Sequence, residues 1–284
     1  MKVAVAQKPP VLLNLEASII SAIETLKEAA AEGAKLVMFP ETFLPGYPHW
    51  CWHLTAGGRE DRALGNAIHS QLPNNSVDLD ANELQPIQDI AAELGLIVGM
   101  GLNEIDNCHN GSTLYNTYVI IGDDGLLLNR HRKLMPTNPE RMVWGCGDAS
   151  GLRVIDTPVG RIGSLICWEN YMPLSRFALY SQAIDIYLAP TWDNGDSWIA
   201  SMRHIAKEGG CWVLSSATAM KGSDVPLDFV GRERLFNDED WVNPGDAVVV
   251  RPGGDIVAGP MHKPTYYTPT LMLPPRAQPV KTLT

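Results

Sequence analysis

The sequence predicts an α/β fold in which helices cover sheet faces, and three observations carry that expectation. Short β-rich runs alternate with longer amphipathic ones, 284 residues at 45% hydrophobic content can bury one sizeable core, and three strand-like runs end in residues unusual for a strand. One domain over residues 1–262 is therefore expected.

Taken in order, KVAVAQ reads as a strand, Leu15 to Glu32 as a helix and KLVMFP as a second strand, which makes a β-α-β start. LQPIQDIAAELG follows as a helix, then LIVGMGL and LYNTYVIIG as strands. The polar Asp123-Asp124-Gly125 is a hairpin turn into LLLNRHRKL. RIGSLIC, AIDIYLAP, CWVLSSA and DAVVVRP complete the strands, with helices near Leu174 to Gln182 and Ser197 to Glu208. The unusual strand ends are Pro40-Glu41, Cys167-Trp168-Glu169 and Pro190-Thr191-Trp192. Carboxyl ends of strands are where α/β proteins usually build their sites.

A formal net charge of -10 gives no basic footprint for phosphate backbones or anionic membrane surfaces, so the expected partner is a small molecule and not nucleic acid. No uncharged apolar run approaches the roughly 20 residues that span a bilayer, and no membrane association is expected. The N-terminal MKVAVAQKPP reaches charge and two prolines too early for a signal peptide, and five cysteines, an odd number, read as reduced thiols. Both point to the cytoplasm. His49 and His53 flank Cys51 in HWCWH, but no further ligands at suitable spacing stand nearby, so no metal is expected. GMGLNE lacks the third glycine of a dinucleotide fingerprint, and no cofactor is expected either. Asn74-Asn75-Ser76 and Asn110-Gly111-Ser112 match glycosylation acceptors and carry no meaning without export.

Three residues could carry chemistry. Cys167 follows an apolar strand and precedes a polar, aromatic turn, a placement that suits a nucleophile. A thiol with an ordinary pKa of about 8.5 needs a base or a positive charge beside it, and without one Cys167 reads as inert core. Glu41 interrupts an apolar strand end, which is costly unless the carboxylate is paired or solvated. Lys133 lies beside Arg130, His131 and Arg132, a cluster that equally reads as a solvated basic face.

The segments FPETFLPGYP, HRKLMPTNPERMVWG and GRIGSLICWENYMPL look like the three catalytic motifs of the nitrilase superfamily, in that family's order. Similarity runs from residue 2 to about His262 and includes AKEGGCWVLSS and NPGDAVVVRPGGDIVAGP. The resemblance implies a four-layer α-β-β-α sandwich whose protomers pair, as a homodimer or a larger homo-oligomer. It implies Glu41 as general base, Lys133 as electrophilic stabiliser, Cys167 as nucleophile and Glu140 as a second glutamate that supports the lysine. Trp168-Glu169-Asn170 after the cysteine resembles the nitrilase branch, so the implied substrate is a small organic nitrile. An amidase or carbamoyl hydrolase, a cyanide hydratase or dihydratase, and a catalytically silent homologue remain as alternatives. Tyr47, Trp168, Pro190, Thr191 and Trp192 are candidates to line the substrate pocket, with aromatic packing as the competing role.

The stretch from Lys263 onward departs from the family. KPTYYTPTLMLPPRAQPVKTLT is proline-rich, lacks periodicity and reads as poorly ordered over 263–284. A nitrilase would continue into a strand resembling GLLYADID, and degenerate codons shifted from the third base of the Pro264 codon permit Leu-Leu-Tyr-Ala-Asp. A frameshift near Lys263 is the expectation.

Overall fold

Val3 and Val5 face one way from the first strand and Ala4 and Ala6 the other, and all four are fully buried. This two-sided burial recurs in strand after strand and dictates the layers. The computed structural model describes residues 1–55, 58–107, 113–262 and 266–267. In chain order the elements are β1 (Lys2–Ala6), α1 (Leu15–Ala31), β2 (Ala34–Met38), α2 (Arg59–His69), α3 (Gln71–Asn74), α4 (Gln85–Leu94), β3 (Ile97–Asp106), β4 (Thr113–Ile121), β5 (Leu127–Arg132), β6 (Ile155–Thr157), β7 (Gly160–Ser164) and α5 (Pro173–Tyr180). Then come β8 (Ile186–Thr191), α6 (Asp196–Gly209), β9 (Trp212–Ala217), β10 (Ala219–Lys221), α7 (Arg232–Leu235), β11 (Trp241–Pro244), β12 (Ala247–Val250), β13 (Ile256–Met261) and β14 (Tyr266–Tyr267).

One sheet has the order β14-β1-β2-β3-β4-β5 and the other β13-β12-β9-β8-β7-β6. Val3, Val5, Leu36, Met38 and Ile120 of the first sheet share a core with Ile162, Ile186, Leu188, Leu214 and Val249 of the second. The alternate residues look outward. Ala4, Val37 and Val98 pack on Ala22 and Leu26 of α1 and Ile87 and Ala91 of α4, while Tyr187, Val213 and Val248 pack on Leu179 of α5 and Trp198 and Met202 of α6. The result is the expected α-β-β-α sandwich. The period-2 alternation of strands buried on both faces is its cause.

The elements read from sequence recur within a residue or two. Asn14 caps α1 by accepting from the Ala17 N–H at 3.0 Å. The Asp123-Asp124-Gly125 turn joins β4 to β5, with Gly125 at φ 81° and Asp124 accepting from the Leu126 N–H. The sequence reading missed α2, α3 and α7 and the strands β6, β10, β11 and β13, which are short or have few buried positions. Within the atypical tail, Tyr266 and Tyr267 pair antiparallel with Ala6 and Val5. An open sheet edge recruits backbone without needing a side-chain pattern. The remaining calls on 263–284, like the acceptor at 110–112, lie outside the described residues. Among the described residues no helix is long and apolar enough to cross a membrane.

Gly101 of β3 sets how close the chain after β2 can come. A Cβ there would collide with Pro40 O and Thr42 N and lie 2.9 Å from the carbonyl carbon of Glu41. Gly101→Ala should therefore cost about 1–3 kcal/mol in a denaturant titration, as overpacking does, and displace Glu41. Unchanged stability would mean that this segment yields without strain.

Candidate active site

Glu41 lies three residues beyond β2, Lys133 directly after β5 and Cys167 three residues beyond β7. Each is held by backbone that has just left a sheet. Phe39 N–H donates to Gly99 O at 2.8 Å and Leu44 N–H to Gly101 O at 3.1 Å, which lays the Glu41 segment along β3. Lys133 N–H donates to Asn116 O at 2.7 Å, so the lysine continues the β4–β5 ladder by one residue. Pleating then sorts the basic cluster. Arg130 and Arg132 turn to the buried Glu104, Arg132 also reaching Asp106, while His131 and Lys133 turn inward. The solvated basic face considered for this cluster is replaced by two separate sets of ion pairs, because adjacent residues of a strand face opposite sides.

The inward set contains the chemistry. Lys133 Nζ donates to Glu41 Oε1 and Glu140 Oε2, both at 2.8 Å, and all three side chains are at most 1% exposed. Asn116 Nδ2 adds a hydrogen bond to Glu41 Oε1 at 2.7 Å, and Tyr47 OH donates to Glu140 Oε1 at 2.6 Å while accepting from Trp52 Nε1 at 2.9 Å. Glu140 Oε2 also accepts the Thr137 N–H at 2.6 Å, which fixes the short 3₁₀ helix Asn138–Met142 on which it rides. The other oxygen of Glu41, Oε2, is buried without a hydrogen-bond partner among the described residues. Asn116 Oδ1 is a second unpartnered acceptor of the cluster among the described residues.

Cys167 opens the 3₁₀ helix Cys167–Tyr171 with φ 49°, a left-handed conformation that costs a non-glycine residue of order 1–3 kcal/mol and persists only where neighbours enforce it. Enforcement comes from Asn170. Its Nδ2 donates to Leu165 O at 3.0 Å and Cys167 O at 2.7 Å, and its Oδ1 accepts from Tyr187 OH at 2.8 Å. Thr191 hydrogen-bonds the Cys167 sulfur in a way that favours the thiolate.

One ammonium faces two acidic side chains and a thiol, so each group's affinity for a proton depends on the others. Burial opposes the charge on Lys133, but Glu41, Cys167 and Glu140 outweigh it and hold the ammonium above its ordinary range. Burial raises Glu41, with Glu140 adding to the rise and Lys133 and Asn116 restraining it. Burial and then Glu41 raise the Cys167 thiol, with Lys133 pulling the other way. Cys167 is thereby held toward the neutral thiol, beside a carboxyl group whose own affinity for a proton is raised. Burial, then Glu140 and Glu41, raise Tyr47 well above the phenol range, which keeps it a neutral donor. Of the described cysteines Cys51, Cys146, Cys167 and Cys211, all free, Cys167 is the one whose sulfur feels both Glu41 and Lys133.

A cavity of about 210 Å³ opens over Cys167 and Glu140, walled by Tyr47, His49, Trp52, Thr137, Trp168, Trp192 and Asp193. Tyr47 stacks on Trp192 with ring centroids 4.4 Å apart. The expected wall residues Tyr47, Trp168 and Trp192 are all there. Pro190 and Thr191 are not, because both are held in the β8–β9 ladder against Ser216 and Ala217 and are buried; Thr191 acts from beneath, through sulfur. His49 and His53 share a 2.7 Å contact between their Nε2 atoms, and burial, then the neighbouring His53, lowers His49 to about 4, so His49 is a neutral ring in the wall. Sequence reasoning singled out His49 only to set a metal role aside, and it missed Asn116, Thr137, Asp193 and Trp52. Asn116, a lone amide in the apolar run LYNTYVIIG, was the one with a visible signal.

Residues 2–273 match the carbon-nitrogen hydrolase family. The chain is 41% identical over 261 residues to an aliphatic nitrilase of Sinorhizobium fredii (strain HH103), covering 91% of this chain and 82% of that one. It is 39% identical over 265 residues to a bifunctional nitrilase/nitrile hydratase, NIT4A, of Nicotiana tabacum, covering 92% and 74%. Nitrilase 3 of Arabidopsis thaliana is 38% identical over 273 residues, covering 93% of this chain and 76% of that one. Among solved structures, an amidase from Nesterenkonia sp. AN1 superposes with a TM-score of 0.70 at 18% identity over 96% of this chain and 93% of that one. Saccharomyces cerevisiae Nit3, of the nitrilase superfamily, superposes with a TM-score of 0.68 at 20% identity over 94% and 89%. Both share the fold.

Two outcomes follow from the charge arrangement. Lys133→Met leaves buried carboxylates unpaired and should cost about 3–5 kcal/mol. Carboxylates raised by burial are stabilising when protonated, so the deficit relative to the native protein should widen from about pH 5 to pH 8 in denaturant titrations. Labelling of Cys167 by iodoacetamide, followed on its peptide by mass spectrometry, should still accelerate above about pH 9; a plateau from neutral pH would contradict a raised thiol.

Proposed function

The chain belongs to the carbon-nitrogen hydrolase family, and on that premise we propose that it is a nitrilase, converting a small organic nitrile to the carboxylic acid and ammonia. The observation that carries this reading is the buried ammonium held between two carboxylates beside a thiol, with one oxygen of Glu41 left free. The high similarity to proteins named nitrilases supports the substrate class.

The raised thiol and the raised carboxylate define the first step. Cys167 attacks the nitrile carbon as Glu41 takes its proton, so no free thiolate has to exist in the resting site. The proton passes to the nitrile nitrogen, giving a thioimidate. Lys133, with the Trp168 N–H, stabilises charge developing on that nitrogen; one such donor typically contributes about 10²–10³ in rate. Glu41 then activates water, the tetrahedral adduct expels ammonia to leave a thioester, and a second water releases the acid and restores the thiol. Glu140, anchored by Tyr47 and Thr137, lines the cavity and holds Lys133 behind it through a 2.8 Å hydrogen bond. The aromatic walls favour a compact apolar group on the nitrile.

The same reading includes a cytoplasmic setting, supported by the free thiols, and self-association, supported by Leu174 and Phe177 of α5, which are 82% and 65% exposed. The decisive assay is ammonia release from a panel of aliphatic, arylacetic and aromatic nitriles, with acid and amide products separated. Cys167→Ala should abolish turnover, and Glu41→Gln should lose at least about 10²-fold while remaining folded. Turnover undiminished in Cys167→Ala would remove the nucleophile, and ammonia from amides alone would make the enzyme an amidase.

A further inference from the structure

Glu169 is fully buried and takes no part in the reaction above. Its two oxygens are spent on three donors. Oε1 accepts the Leu134 N–H at 2.6 Å, Oε2 accepts the Ile166 N–H at 2.6 Å, and His131 Nε2 lies 3.1 and 2.9 Å from the two oxygens. Leu134 follows Lys133 in the chain, and Ile166 precedes Cys167. We infer that Glu169 is a positioning residue whose single carboxylate joins the peptide unit beside the lysine to the peptide unit beside the nucleophile, holding reagents from two different sheets in register.

The fold explains why such a link is needed. Lys133 hangs from β5, the outermost strand of one sheet, and Cys167 leaves β7 of the other, so no backbone ladder connects them. Stacked sheets touch through apolar side chains that can slide by fractions of an ångström, whereas short hydrogen bonds to one rigid group cannot. The chemistry of the acceptor also matters. Three N–H groups converge on Glu169, and a carboxylate accepts on both oxygens, while an amide of the same shape would aim its own N–H at one of these donors. His131 has no other hydrogen bond to its ring in the described structure: its Nδ1 is buried and unpartnered. The ring is present for the carboxylate.

This inference rests on the proposed nitrilase reaction for its turnover readout, and a second readout makes it separable. Glu169→Gln should lower kcat per titrated Cys167 by about 10²-fold, the scale of a misplacement near 1 Å, with KM little changed. It should also slow iodoacetamide labelling of Cys167, which needs no nitrile. His131→Leu should err in the same direction by less, and His131→Gln, which retains an N–H donor, should recover most of the loss. A folded Glu169→Gln enzyme with native kcat per titrated thiol and native labelling overturns the inference while leaving the nitrilase reading intact. Absence of nitrile turnover in the native enzyme overturns that reading and leaves the labelling comparison to decide. Should the variant not fold, deuterium exchange in the native protein decides: the Leu134 and Ile166 amides are expected to be as protected as strand amides, and exchange of either at loop rates removes the link.

Discussion

Everything chemical in this molecule depends on one buried ammonium shared by two carboxylates. Lys133 could not remain charged where it sits without Glu41 and Glu140, and its loss would leave both acids without their buried partner. Burial within this cluster raises both the Glu41 carboxyl and the Cys167 thiol. It leaves Glu41 a strengthened base and Cys167 a reluctant acid, so proton transfer waits for a carbon to attack.

The sandwich supplies what this cluster demands. Two sheets sealed by a shared apolar core exclude water from the side chains at their edge, and the loss of water strengthens each charged hydrogen bond in the site. The site sits where strands end because only there can side chains reach across from one sheet to the other. Gly101 permits the close approach of the Glu41 segment, Asn170 enforces the left-handed turn at Cys167, and Glu169 spans the gap between the lysine and the nucleophile. Each is a backbone device serving a side chain elsewhere.

Aromatic rings complete the arrangement in two capacities. Tyr47 is at once a cavity wall, stacked on Trp192, and a donor to Glu140, so the surface that meets substrate is mechanically tied to the acid that aims the lysine. Substrate shape and the placement of Lys133 are therefore not independent properties.

By itself the sequence determined an α/β fold with covered sheet faces, and its motifs named the reagents. Strands such as KVAVAQ and AIDIYLAP that are apolar at consecutive positions must be covered on both faces, while the packing of one sheet on the other was implied only by the resemblance. Glu41 stood out by breaking an apolar strand end, whereas Lys133 and Cys167 stood out only through the motifs that contain them. Only the tertiary structure decided which neighbours serve them. Asn116, His131, Glu169 and Thr191 come from distant segments, and their hydrogen bonds depend on the pleat of β5, the turn at Cys167 and the spacing between two sheets. Hydrophobic pattern is a local, periodic signal that survives in one dimension. A hydrogen bond between residues tens of positions apart exists only once the packing has set its length and direction.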